Sequence, residues 1–278
     1  MMDRGAALER LGAGETFDLL IIGGGAVGLG TAVEAAARGL RVALVERGDF
    51  AGGTSSRSTK LVHGGVRYLR QGNLSLVREG LRERARLLRN APHLVTPLEF
   101  AVPCFGPIDT LFYGAGLKFY DALAAGHSLS PSRIVSAAAL RREVAVKEDG
   151  LFAGVVYRDA QFDDARLAVA LARTAGGLGA ALANYCAATG LMRKGDRLSG
   201  AEARDEETGK SFAISARCVV NATGVFVDGL RRQDDAAVAP LVTVSQGIHL
   251  VLPRRFLPGA AALMVPKTSD GRVLFAIP

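Results

Sequence analysis

A glycine loop between an apolar run and a helix-forming stretch constrains this chain more than any other feature. Residues 17–22 (FDLLII) read as a strand buried on both faces, as in a parallel sheet, and Gly23-Gly24-Gly25-Ala26-Val27-Gly28 follows at once. Residues 31–38 are Ala-rich and helix-forming, Gly39 is placed to cap that helix, and 40–46 (LRVALVE) read as a second strand. The result is a βαβ unit whose glycines match G-x-G-x-x-G in the context that gives the motif meaning. Gly23 makes the tight turn, Gly25 lets the backbone approach a pyrophosphate, and Gly28 lets helix and strand pack closely. The helix N-terminus offers amides to the anion. Glu46, 21 residues after Gly25, is placed to accept hydrogen bonds from an adenosine ribose. The motif alone serves NAD and FAD equally, because both carry the same ADP half.

At 278 residues the chain has room for about two domains. Hydrophobic residues make up 49% and charged residues 22%, which excludes a disordered chain. No apolar run approaches the ~18 residues of a membrane span. The first sixteen residues lack the apolar stretch of a secretory signal and read as a polar leader, which points to a cytoplasmic protein. Cys104, Cys186 and Cys218 are widely spaced with no C-x-x-C, so disulfides and zinc are not expected, no metal is assigned, and all three read as buried packing residues. The net charge of +7 is concentrated in residues 57–89, where nine Lys/Arg face two Glu. Such a patch attracts anionic ligands or an anionic membrane surface. Nucleic acid is not expected, since 6% of residues are aromatic, none is Trp, and no basic segment is interleaved with stacking side chains.

Beyond the βαβ unit, Leu74, Val77, Leu81, Ala85 and Leu88 recur at helical spacing, with Arg78, Arg82, Arg86 and Arg89 on a solvated face. Residues 96–150 mix Pro, Gly and aromatics and yield no clear elements. Asp163 or Asp164 is placed to cap a helix over 165–174, and 219–220 lead into Asn221-Ala222-Thr223-Gly224 as a further strand. Residues 241–252 alternate, 261–266 and 273–277 read as strands, and 269–271 as a turn, all antiparallel signals. His249 on the alternating strand is a candidate general base or a satisfied core histidine. The chain stops at Pro278 directly after a strand, which predicts a fragment.

Residues 54–68 (TSSRSTKLVHGGVRY) pack hydroxyls, cations and paired glycines where a nicotinamide enzyme continues plain βα units. Hydroxyls and amides there can hold more of a pyrophosphate, and Gly64-Gly65 let the main chain lie against a flat ring. His63 is either a hydrogen-bonder that holds the glycine pair or a proton carrier.

In order, GGGAVGLG, VALVE, TSSRSTKLVHGGVRYL, FDDARL, VVNATG and QGIHLVLP resemble the FAD-dependent glycerol-3-phosphate dehydrogenase family, over essentially all of residues 17–278 and a little over the first half of such an enzyme. The resemblance implies FAD rather than NAD, with Gly23, Gly25, Gly28 and Glu46 on the ADP half and Thr54, Ser55, Ser56, Lys60, Leu61, His63 and Gly64 along the pyrophosphate and flavin. It implies that Thr223 and Gly224 touch the cofactor from a return strand, that Arg67 and Tyr68 hold the substrate phosphate, and that His249 lies near the pocket. Gln246 stands where many members have lysine, and Ile248 where they have a small polar residue.

The implied fold is α/β. A Rossmann-like FAD-binding domain (17–95 and 150–238, after a leader at 1–16) is interleaved with an incomplete antiparallel-sheet substrate domain (96–149 and 239–278). The implied reaction oxidises sn-glycerol 3-phosphate to dihydroxyacetone phosphate by hydride transfer to FAD, with Arg67 and His249 in the catalytic site. Electrons pass on to quinone, or to oxygen, at the inner face of the cytoplasmic membrane. The alternatives are another flavin oxidoreductase of a hydroxy acid or amine, and a truncated, non-catalytic flavin-binding protein.

Overall fold

The computed structural model describes residues 3–69, 72–124, 126–127, 129–268 and 271–278, with the side chain of Arg67 excepted. The chain divides into two units, Met1–Ser58 with Asp164–Gly247, and Thr59–Asp163 with Ile248–Pro278, which it visits alternately.

The first pass builds α1 (Arg4–Gly12), β1 (Thr16–Phe17), β2 (Leu19–Ile22), α2 (Ala26–Ala37) and β3 (Val42–Val45), followed by a 3-10 turn at Thr54–Ser56. The second pass, in the other unit, builds β4 (Leu61–Val62), α3 (Val66–Leu69), α4 (Leu74–Asn90), β5 (Val95–Cys104), α5 (Pro107–Ala124), β6 (Arg133–Ser136), α6 (Ala137–Glu143) and β7 (Ala153–Phe162). The third returns to the first unit with α7 (Asp164–Gly177), β8 (Ala181–Ala183), β9 (Cys186–Lys194), β10 (Arg197–Asp205), β11 (Ser211–Ala216), β12 (Val219–Asn221) and α8 (Val227–Asp234). The last adds β13 (Ala262–Val265) and β14 (Leu274–Ala276) to the second unit.

In the first unit β12, β2, β3 and β8 lie side by side, all parallel. Successive strand residues point to opposite faces. Leu20 and Ile22 enter one core with Phe17, Ala201, Ala203 and Ile214 of the β1-β11-β10-β9 sheet, while Ile21 enters another with Leu29, Ala32 and Ala36 of α2 and Ala168, Ala172 and Ala175 of α7. Small side chains on both helices allow their close approach. The parallel sheet is thus covered on both sides, as its uniformly apolar strands require.

The expected polar leader is instead mostly helix. The Asp3 side chain caps α1 by accepting from the Ala6 amide, and Ala7 and Leu11 are buried. Arg4 ties the helix down by donating to the Asn184 carbonyl at 3.0 Å and pairing with Asp205. The Thr208 hydroxyl and Arg4 pull the Asp205 carboxyl down to about 2, so that tie loses its charge only in strong acid.

In the second unit β5 and β7 pair antiparallel over ten residues, Val95 opposite Phe162 through Cys104 opposite Ala153. The sheet runs β14-β13-β5-β7-β4, with β6 also on β7. It is mixed rather than purely antiparallel, because β13 runs parallel to β5 at Ala262–Phe100 and Leu263–Ala101. Val77 and Leu81 of α4 and Leu117 and Tyr120 of α5 pack on one face, and Leu140 of α6 on the other.

Three boundaries differ from the expected division. Residues 59–95 and 150–163 belong to the second unit, because β4, α4 and β7 complete its sheet and core, and 239–247 belong to the first. Residues 241–252 form no strand and are exposed throughout, so His249 sits on irregular chain. Alternation supplies a face but no ladder partner. The Leu241 and Val242 amides donate to Asp228 instead, at 2.9 and 3.1 Å. Cys104 and Cys186 are buried, whereas Cys218 is exposed. Ser269 and Asp270 of the expected turn lie outside the described residues.

Candidate functional site

In the first unit β2, β3 and β12 end on one side of the parallel sheet, and chain order reverses there: β2 leads through α2 to β3 on one flank, while β12 lies on the other. Ligands of open α/β sheets bind at such a switch point. Gly23 takes φ +114°, and a Cβ there would stand 2.4 Å from the Ala222 carbonyl oxygen. The return strand is therefore pressed against the loop. A Cβ on Gly28 would stand 1.9 Å from the Gly23 carbonyl oxygen, and one on Gly25 3.0 Å from Ser55 Oγ. Backbone contact thus demands glycine at 23 and 28, whereas at 25 only a serine hydroxyl stands close.

Gly25 caps α2, whose first turn contains no acidic residue, so no carboxylate within that turn offsets the positive end of the helix. Ser55 Oγ accepts from the Ala26 amide at 2.9 Å, which brings the 54–56 turn onto that helix end. Thr54 is exposed, and Ser55 and Ser56 half-buried. The half-buried Glu46 accepts from the Gly24 amide at 2.7 Å and from the Gly48 amide at 2.9 Å. Its carboxylate therefore also braces the loop, and each oxygen keeps a lone pair for a ligand hydroxyl. Thr223 donates through its amide and hydroxyl to Asn221, while Gly224 takes φ +59° at the exposed end of the return strand. Arg47, following Glu46, stacks 4.0 Å over the Phe226 ring. Ser58 ends this stretch by donating its hydroxyl to the buried Asp164 at 2.7 Å, so that carboxylate serves as a structural acceptor at the start of α7.

The remaining expected residues fall in the second unit. Lys60 is a non-glycine residue in the left-handed region, φ +56°, just before Leu61 on β4. His63 is exposed, Gly64 and Gly65 are buried, and Arg67 and Tyr68 lie on α3; the Arg67 side chain is outside the described residues. The Tyr68 ring lies against Gly65, where a Cβ would come within 2.5 Å of it. A cavity of about 1210 Å³ opens here, walled largely by apolar residues, with His63, Tyr113 and Asp159 among its few polar ones. His249 does not line it.

A group that the sequence reading missed lies behind the glycine pair. Arg84 and Asp159 are each 1% exposed and Tyr120 2%. Arg84 Nη1 donates to Asp159 Oδ1 at 2.8 Å, the Tyr120 hydroxyl to Oδ2 at 3.1 Å, and the Gly64 amide to Oδ1 at 3.2 Å. Burial pushes the Asp159 carboxyl above its ordinary value, while Arg84 and, more weakly, His63 pull it back. Burial and the neighbouring Asp159 likewise push the Tyr120 phenol well up, so it stays a donor. A signal was present: Arg84 falls beside Ala85, within the apolar stripe of α4, where a solvated arginine has no place.

The family description "FAD dependent oxidoreductase" matches residues 18–278. The chain is 45% identical to the mitochondrial glycerol-3-phosphate dehydrogenase of Rattus norvegicus and 44% to that of Homo sapiens, in each case over 99% of this chain and 40% of the relative. It therefore spans less than half the length of these curated relatives. The crystal structure of glycerol-3-phosphate dehydrogenase from Bacillus halodurans complexed with FAD is 31% identical, with a TM-score of 0.74 over 99% of this chain and 47% of that one.

Proposed function

The chain belongs to the FAD dependent oxidoreductase family, and from that premise we propose that it holds FAD and oxidises sn-glycerol 3-phosphate to dihydroxyacetone phosphate. The observation that carries the cofactor is the cradle at the ends of β2, β3 and β12, where Gly23 and Gly28 leave no room for a Cβ, Gly25 faces Ser55 and Glu46 stands at the edge. The substrate rests on similarity to the relatives named above.

In this reading the amides of the glycine loop and the hydroxyls of Thr54, Ser55 and Ser56 hold the diphosphate, Glu46 accepts from the ribose, and Thr223 and Gly224 close against the cofactor. Lys60, Leu61, His63 and Gly64 face the flavin. When bound, FAD supplies the two-electron acceptor for the hydrogen on carbon 2; the protein contributes placement and charge. Arg67 and Tyr68 hold the substrate phosphate by charge-assisted hydrogen bonds. His63 takes the hydroxyl proton, in preference to His249, because it lines the cavity and lies in the field of Asp159. The onward acceptor is a quinone reached by peripheral attachment to a membrane. In support, Ile108, Leu111, Phe112 and Phe119 of α5, which also line the cavity, are exposed apolar side chains.

The test is anaerobic mixing of the FAD-loaded chain with glycerol 3-phosphate while the yellow absorbance is followed. The expected result is bleaching by glycerol 3-phosphate, none by glycerol, and loss of the response in Arg67→Ala. Bleaching by a hydroxy acid or an amine, with no response to glycerol 3-phosphate, would replace this substrate with one of those classes.

A further inference from the structure

Apart from the field of Asp159 on His63, the buried Arg84–Asp159–Tyr120 group is not used by the chemistry just described, yet it lies in the second unit's core. Filling a core this way is costly. Desolvating two charges commonly offsets their attraction, and apolar replacements of both partners are often neutral or stabilising. Among the described residues Arg84 Nε lacks a hydrogen-bond partner, so the group is not even arranged to satisfy itself fully. What the geometry does supply is position. Asp159, on β7, gathers donors from α4, from α5 and from the turn between β4 and α3. That turn is pressed onto the group: a Cβ on Gly64 would stand 2.3 Å from the Tyr120 hydroxyl and 2.5 Å from Leu81 Cδ2. Gly65 then turns away at φ +75°. His63 immediately precedes both glycines and presents its ring at the cavity wall.

We propose that Asp159, oriented by Arg84 and Tyr120, is a positioning residue that fixes the His63-Gly64-Gly65 turn by accepting the Gly64 amide, and so sets how tightly this turn holds the flavin. The claim about the turn stands on geometry alone; its link to the flavin rests on the reading under Proposed function.

The test compares the wild-type chain with the paired apolar variant Arg84→Met/Asp159→Leu and with Tyr120→Phe. Three quantities are measured: melting temperature, hydrogen exchange of peptides covering residues 61–66 in the FAD-free chain, and the FAD dissociation constant by flavin fluorescence. The double variant is expected to melt within about 5 °C of wild type, since removing both charges leaves none unpaired. Its 61–66 peptides exchange at least about tenfold faster, from loss of one charge-assisted bond, and FAD binds about tenfold more weakly. Tyr120→Phe shifts both in the same direction by about threefold. A purely structural role predicts otherwise. A double variant with wild-type melting, wild-type exchange at 61–66 and wild-type FAD affinity overturns the proposal. If the double variant does not fold, Tyr120→Phe decides, and unchanged exchange at 61–66 overturns it equally. Faster exchange with unchanged FAD affinity refutes the link to the flavin. A wild-type chain that binds no FAD sinks the reading of the cofactor, while exchange still decides the role of Asp159.

Discussion

Gly28→Ala is expected to abolish measurable FAD binding, with affinity at least about a hundredfold weaker, equivalent to about 2.8 kcal/mol. The methyl group would sit 1.9 Å from the Gly23 carbonyl oxygen, a contact that only backbone movement can relieve. That carbonyl belongs to the turn that orients the loop amides, so the same movement spoils the anion cradle and strains the fold by about 1–3 kcal/mol. Gly30→Ala, two residues on in α2, is the control, because nothing lies within 4 Å of its added Cβ. Replacing a helical glycine by alanine gains about 0.5–1 kcal/mol, and the half-buried Gly30 has open space for the methyl, so Gly30→Ala should be more stable and bind FAD normally. Fluorescence titration and thermal melts of the two variants check both statements, and equal behaviour would remove the steric argument for the loop.

Arg84→Met alone is expected to be severely destabilising, by about 3–5 kcal/mol at neutral pH, because it strands a carboxylate in the core. Its sign with pH is fixed by Asp159. Burial already raises the folded-state value of this carboxyl above the unfolded one, and losing Arg84 raises it further. The folded variant then binds a proton that the unfolded chain does not, so its stability falls as pH rises through the window above the ordinary carboxylate value and recovers as pH is lowered into it. Urea melts at pH 5 and pH 7 should therefore show a smaller deficit at the lower value. An equal deficit at both would mean that Asp159 is not the ionised group the geometry implies.

How far the sequence carried the structure depended on whether the signal was local. The glycine loop and Glu46 were legible because turn, helix start and strand are adjacent in sequence, and each residue type answers a contact made within the unit. The exposed Arg78, Arg82, Arg86 and Arg89 followed from helical period alone. Strand β5 was obscured by Pro97 and Pro103, which argue against an interior strand. The structure accommodates both because β13 pairs with β5 only at Phe100 and Ala101, leaving the prolines beyond its reach. The irregular course of 241–252 was equally illegible, since nothing local reveals that no partner strand meets it. Asp159 carries no pattern of its own; its importance arises where α4, α5 and the glycine turn converge on β7, a meeting of residues up to 95 positions apart in sequence.

The account depends most on where the adenosine diphosphate half of the cofactor lies, and calorimetric titration of the chain with FAD and, separately, with FMN tests that directly. FMN shares the flavin but lacks the adenosine monophosphate portion that, in the proposed reading, Glu46 and the α2 N-terminus hold. The account predicts one FAD bound per chain, FMN binding at least about a hundredfold weaker, and a loss of FAD affinity in Glu46→Gln. Equal affinity for the two flavins, or no FAD bound at all, would contradict it.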